Sequence, residues 1–125
     1  MNDGDDDKAV LVLPDDGSPL GDIAFWLRHC LDGWPRADVV LVGVVVGELY
    51  DNARLHGAPP YVIELVLDRP HDVLTVSVDN RVARASPVWQ RRSGLLLVEG
   101  LSEQWGALER GDTTTTWAEI LLDQD

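Results

Sequence analysis

A chain of 125 residues is long enough for one domain with a single hydrophobic core, and a composition of 45% hydrophobic and 26% charged residues is typical of a globular protein. The formal net charge of −12 would repel a phosphate backbone, so we expect no direct binding to DNA or RNA. The longest apolar run, residues 39–46, is too short to cross a bilayer, which argues against a transmembrane helix.

The first predicted elements are a short strand and a helix. Residues 9–13 (AVLVL) predict a strand that ends at a turn, and residues 20–31 have apolar side chains at helical spacing. The helix carries Cys30, the only cysteine, which excludes an intramolecular disulfide and favours a reducing compartment. The N-terminal residues lack the basic and apolar regions of a secretory signal, so we expect a cytoplasmic protein.

Residues 39–46 (VVLVGVVV) allow two interpretations. Their β-branched side chains favour a buried strand by propensity. The helical spacing of the polar residues that follow favours instead one long buried helix through His56. Periodicity alone does not decide between the two, and the family resemblance described below favours the helix.

The rest of the chain predicts three strands and a helix. Residues 61–67 and 73–78 predict a hairpin, and residues 81–93 predict a polar, arginine-rich loop. Residues 94–105 have apolar positions at helical spacing and predict a helix that stops at a glycine. Residues 113–122 predict the final strand.

The predicted order is strand, helix, helix, strand, strand, helix, strand. It indicates one α/β domain at residues 9–122, a two-layer sandwich with a mixed sheet and helices on one face. The flanking residues, 1–8 and 123–125, are predicted to be acidic tails.

Three polar residues recur every four positions at the end of the long predicted helix. Glu48, Asn52 and His56 therefore line one helical face. A carboxylate such as Glu48 can accept a proton, and the carboxamide oxygen of Asn52 can bind a hard cation such as Mg²⁺. A single histidine is more often structural, and we interpret His56 in that way.

The segment from Glu48 to Gly57 reads E-L-x-x-N-A-x-x-H-G. It resembles the N-box of the histidine-kinase-like ATPases, especially the small anti-sigma-factor kinases. Two further segments follow in the order of the family's motifs: residues 76–80 (VSVDN), a strand that ends in an aspartate, and residues 93–98 (SGLLLV), which resemble the second glycine box. Residues 111–120 resemble the family's last hairpin and strand, so the resemblance covers nearly the whole domain.

The resemblance implies an α/β sandwich that binds ATP and Mg²⁺ and controls a sigma factor by binding it. By position, Asn52 would hold Mg²⁺ against the triphosphate and Glu48 would be the general base. Asp79 would bind adenine, and Gly94 and Leu95 would face the phosphates.

The glycines that normally surround the nucleotide are missing. The family's D-x-G-x-G pattern is replaced by Asp79-Asn80-Arg81-Val82-Ala83, and Ser93 stands where the second box normally has its first glycine. A mobile loop over phosphates usually needs such residues, because they adopt positive φ at little cost. We therefore predict weak or absent ATP binding. The roles of Arg81, Arg91 and Arg92 stay open, since Arg81 could either obstruct adenine or stack on it.

Three functions are consistent with the sequence. The first is a regulatory protein that binds a protein partner, such as a sigma factor or the antagonist of an anti-sigma factor, with weak or lost use of ATP. The second is an active serine/threonine kinase that uses Glu48 and Asn52. The third is a non-catalytic subunit of a homodimer or heterodimer. Trp34 and Trp89 lie in predicted loops and are candidate interface residues.

Overall fold

The computed structural model describes residues 6–15, 17, 20–82 and 98–122. These residues form a five-stranded sheet and a helical layer on one of its faces, so the predicted α/β character is confirmed. The elements are β1 (Asp6–Leu13), α1 (Leu20–Cys30), α2 (Arg36–His56), β2 (Gly57–Asp68), β3 (Val73–Val82), β4 (Gln104–Arg110) and β5 (Thr113–Leu121). A 3-10 turn, Arg69–His71, joins β2 to β3, and residues 98–101 are helical.

The sheet has the strand order β1-β2-β3-β5-β4, and all four neighbouring pairs are antiparallel. The prediction of a mixed sheet is therefore wrong. α1 and α2 lie between β1 and β2 in the sequence, and both helices lie on the same face of the sheet. β2 begins beside the end of β1, where Leu13 pairs with Tyr61. Hairpins join β2 to β3 and β4 to β5, whereas β3 and β4 are separated in the sheet by β5.

The valine-rich run is helical, as predicted, within the 21-residue helix α2. One face of the helix is fully buried, and it carries Val42, Val45, Val46 and Leu49. This face packs on β2, β3 and β5, where alternate residues are buried. Burial of this apolar face outweighs the small helix penalty of valine, which is well below 1 kcal/mol per residue. Among the described residues, no helix is long and apolar enough to span a membrane.

The predicted helix at residues 94–105 is only partly correct. Residues 98–101 are helical, but Trp105 and Gly106 belong to β4, a strand that the sequence interpretation missed. Gly106 is not a helix stop. It pairs with Trp117 on β5, and a Cβ at position 106 would lie 3.0 Å from the Trp117 ring.

Strand ends also differ from the predictions. β1 begins at Asp6, inside the segment predicted as an acidic tail. β2 begins at Gly57, directly after α2, and β3 continues to Val82. Residues of the predicted loop beyond position 82, including Trp89, lie outside the described residues.

Two single residues have clear packing roles. Trp34 lies in the turn between α1 and α2, as predicted, and it is half-buried against the core. Cys30 also packs partly against the core, and burial raises the pKa of its thiol. The thiol is therefore held in its protonated, less nucleophilic form, as expected for a structural cysteine.

Candidate functional site

The C-terminal half of α2 has two different flanks. On one flank, the Tyr50 ring contacts Tyr61 of β2 edge to face, with ring centroids 5.5 Å apart. Residues two positions apart on a helix point about 200° away from each other around its axis. Asn52 therefore lies on the opposite flank, towards β3 and β5. Glu48 lies on the Asn52 flank one turn earlier, with about 5–6 Å expected between the two Cβ atoms.

Asn52 is the most informative side chain on this flank. It is 6% exposed, and its Oδ1 atom is buried with no hydrogen-bond partner among the described residues. A buried acceptor without a partner costs about 1–3 kcal/mol, so native folds rarely retain one without a use for it. The oxygen is therefore available to a ligand that enters beside α2.

The surroundings of Asn52 suit a cation that arrives with its own oxygen ligands. Asn52 is one turn from the C-terminal end of α2, where the helix dipole favours positive charge. In the described part of the chain, no group of three or more His, Cys, Asp or Glu side chains could hold a metal ion by itself. Mg²⁺ commonly keeps several waters and is held by one or two carboxylates together with substrate phosphates. Asn52 would supply one neutral carboxamide oxygen in place of a carboxylate.

The sheet contributes a second set of buried polar side chains. Asn80 on β3 pairs with Thr114 on β5, and Thr116 lies one row further along the same face. The Thr116 hydroxyl has no hydrogen-bond partner among the described residues. Because β2 starts directly after α2 and Gly57 pairs with Val82, the end of β3 lies beside the end of α2. The fold thus places Asn80 and Thr114 at the Asn52 end of the helical layer.

Asp79, the predicted adenine-binding residue, lies on the other face of the sheet. The buried residues of β3 are the even-numbered ones from Leu74 to Asn80, and these face the helices. The Asp79 carboxylate instead accepts a hydrogen bond from Thr115 Oγ1 at 2.6 Å. The structure therefore does not bring Asp79 together with Asn52. The residue on the Asn52 face is its neighbour, Asn80.

Asn80 is held in one orientation by its neighbours. Its Nδ2 atom donates a hydrogen bond to the backbone carbonyl of Arg81 at 2.8 Å. On the other side, a Cβ at Gly57 would lie 1.9 Å from the same Nδ2 atom, so only glycine allows this approach. The glycine that ends the N-box-like segment therefore positions Asn80, a relation that sequence spacing does not reveal.

Arg81 does not obstruct the helix-facing side of the sheet. Its guanidinium forms an ion pair with Asp112 at 3.0 Å, on the exposed surface beside the β4–β5 turn. The other residues predicted to contact nucleotide phosphates or to border that site, Gly94, Leu95, Arg91 and Arg92, lie outside the described residues.

Comparison with known proteins leaves the family of this chain open. No protein-family model matches the sequence, and no curated protein matches it.

Proposed function

We propose that this chain is a regulatory protein of the anti-sigma-factor kinase type, with a histidine-kinase-like ATPase fold, that binds a magnesium nucleotide weakly and acts by binding a protein partner. One observation carries the proposal: the buried Oδ1 atom of Asn52 has no hydrogen-bond partner in the described structure. The resemblance of residues 48–57 to the N-box gives that atom a role, because it falls on the position expected to hold Mg²⁺.

The residues have distinct roles in this proposal. Asn52 binds Mg²⁺, and the ion supplies the positive charge that a triphosphate needs near a chain of net charge −12. Asn80 replaces Asp79 as the polar side chain that meets the base, since it is buried on the same face as Asn52. A carboxamide is neutral, so its hydrogen bond to an adenine amino group is weaker than that of a carboxylate. Weak nucleotide binding follows from this substitution and from the missing glycines.

The partner is expected to carry positive charge on its contact surface. The excess of acidic residues favours encounter with a basic protein and disfavours encounter with nucleic acid. A sigma factor, or an antagonist protein that competes with it, is the kind of partner that the family resemblance implies.

Calorimetric titration with ATP, in the presence and absence of Mg²⁺, tests the nucleotide part of the proposal. We expect magnesium-dependent binding with a dissociation constant of about 0.1–1 mM, which corresponds to about −5 kcal/mol. Asn52→Ala should weaken this binding at least tenfold. Asp51→Ala is the matched control, because Asp51 is the preceding residue of α2 and is exposed. Unchanged binding by Asn52→Ala, or no binding by the native chain, would reject the assigned site.

Phosphorylation of the partner is the second candidate function, and the placement of Glu48 favours it. Glu48 is half-buried and lies one turn from Asn52, on the same flank of α2. A carboxylate there can accept the proton of a serine or threonine hydroxyl as it attacks the terminal phosphate. Glu48→Gln should then abolish phosphotransfer to the antagonist while nucleotide binding persists. Phosphotransfer that survives this substitution would exclude Glu48 as the base.

A further inference from the structure

A cavity of about 180 Å³ lies between the turn that joins α1 to α2 and the sheet beneath that turn. We call it the Cys30 cavity. Its walls are side chains of both layers: Ala9, Cys30, Trp34, Leu65, Leu67 and Leu74. The cavity lies near the first residue of α2, Arg36, and about 24 Å of helix separates that residue from Asn52. The Cys30 cavity is therefore distinct from the candidate site at Asn52.

An ion pair between Asp7 and Arg69 marks the open side of the Cys30 cavity. Both residues line the cavity, and their side chains are 50% and 62% exposed. Arg69 donates hydrogen bonds to Asp7 Oδ2 from its Nε atom, at 2.9 Å, and from its Nη2 atom. A guanidinium has five N–H donors, so these two bonds leave the others for a second acceptor. An exposed ion pair adds little to stability, so another carboxylate can join Asp7 at Arg69 or replace it there.

The charged groups around the cavity favour an anion over a cation. The Lys8 ammonium bonds Glu64 at 2.8 Å on the opposite face of the sheet, which leaves Arg69 as the cation beside the opening among the described lining residues. A neighbouring cavity of about 410 Å³ shares Arg69 with the first, but it is also lined by Asp38 and Asp72. Those two carboxylates disfavour an anion in the neighbouring cavity and leave the Cys30 cavity as the better place for one.

We propose that the Cys30 cavity binds a small monocarboxylic acid, whose carboxylate is held by Arg69 and whose apolar body lies among the apolar walls. The volume suits such a ligand, because an apolar cavity of about 150 Å³ is large enough to bind benzene. Apolar walls offer water few hydrogen bonds, so an apolar group that displaces water from them is favoured. The proposal needs no nucleotide and is independent of the function proposed above.

Alkylation of Cys30 by iodoacetamide tests whether the cavity is occupied. Cys30 is the only cysteine of the chain, so the reaction rate reports on this cavity alone. Phenylacetate is the probe, and phenethylamine carries the same ring with the opposite charge. We expect phenylacetate to slow the reaction saturably, with a dissociation constant of about 0.1–1 mM, and phenethylamine to bind at least tenfold more weakly. No protection by phenylacetate, or equal protection by both probes, would overturn the proposal.

A substitution that fills the cavity tests where the probe binds. Ala9 faces the helices beside Leu65, so the larger side chain of Ala9→Leu occupies the space of the ligand. This variant should weaken phenylacetate binding at least tenfold in calorimetry. Ala107→Leu is the matched control, because Ala107 lies on β4, at the other lateral edge of the sheet. Circular dichroism checks that both variants are folded. Native affinity in Ala9→Leu, or an equal loss in both variants, would reject the cavity as the site.

Three charge variants test the role of Arg69. Arg69→Gln should weaken phenylacetate at least tenfold and leave the binding of the neutral 2-phenylethanol unchanged. Arg28→Gln is the control, because Arg28 is an exposed arginine of α1 that does not line the Cys30 cavity. Asp7→Asn should tighten phenylacetate binding severalfold, because it removes the carboxylate that competes for Arg69. If Arg69→Gln weakened both probes equally, its effect would be structural and the carboxylate site would be rejected.

Discussion

Gly57→Ala is expected to destabilise the protein by about 2–3 kcal/mol, because the site has no room for a methyl group. The added Cβ would lie 1.9 Å from Asn80 Nδ2 and 2.8 Å from the backbone oxygen of Arg81. Asn80 is buried, so its side chain cannot move away into solvent, and it would lose the hydrogen bond that fixes it. The Arg81 carbonyl belongs to the β3 ladder and cannot move without disturbing the pairing of β3 with β2.

Urea unfolding of Gly57→Ala and Gly47→Ala measures this effect against a matched control. Gly47 lies inside α2, and a Cβ there would meet no atom within 4 Å. Gly47→Ala should therefore stabilise the protein by about 0.5–1 kcal/mol, the helix preference for alanine. If both variants changed the free energy of unfolding in the same direction, the claim that Gly57 packs closely against Asn80 would be rejected.

The valine-rich run shows how far local sequence determines this fold. Positions 42, 45, 46 and 49 are buried and share one helical face, but every residue of the run at 39–46 is apolar or glycine, so its sequence shows no helical period. Propensity favoured the strand, and periodicity over so short an apolar run could not overrule it. The outcome depends on the sheet beneath, which offers a surface that one face of a helix can cover. That surface is assembled from residues far away in the sequence.

β4 was missed because a local signal had two meanings. A glycine after an apolar segment is typical of a helix end, and Gly106 was interpreted in that way. In the structure the same residue accommodates the Trp117 ring across a strand pair. Only the register between β4 and β5 reveals this use of glycine, and register between strands is not encoded in the composition of either one.

The candidate site was predictable where it depends on one helix and not where it depends on the sheet. The spacing of Glu48 and Asn52 suffices to place both on one flank of α2. To choose the site residue on β3, one must know which face of the strand each side chain occupies. Side chains alternate between the two faces, so the face that carries the buried Val76 and Val78 also carries Asn80 and not Asp79. The motif resemblance favoured the aspartate because of its residue type. Asn80 lies on β3 and Gly57 lies on β2, so the close approach of these two residues cannot be predicted from the sequence of either strand alone.

Asn52→Leu is expected to make the ligand-free protein more stable by about 1–2 kcal/mol and to abolish magnesium-dependent nucleotide binding. Leucine has the same branched shape as asparagine but no polar atoms, so it removes the cost of the buried, unpartnered Oδ1 atom. Substitutions that raise stability and remove activity together are typical of residues kept for function at a cost to the fold. A purely structural asparagine would give the opposite sign.

Asn80→Leu is the matched control for this trade-off. Asn80 is buried to the same extent as Asn52, with 5% exposed against 6%, but its carboxamide donates a hydrogen bond to the Arg81 carbonyl. Its replacement should lower the free energy of unfolding by about 1 kcal/mol, because the hydrogen bond from Asn80 Nδ2 to the Arg81 carbonyl is lost. Urea unfolding of both variants without nucleotide gives the two signs directly. If Asn52→Leu were destabilised as much as Asn80→Leu, the Asn52 oxygen would have a structural partner, and the cation site would lose its basis.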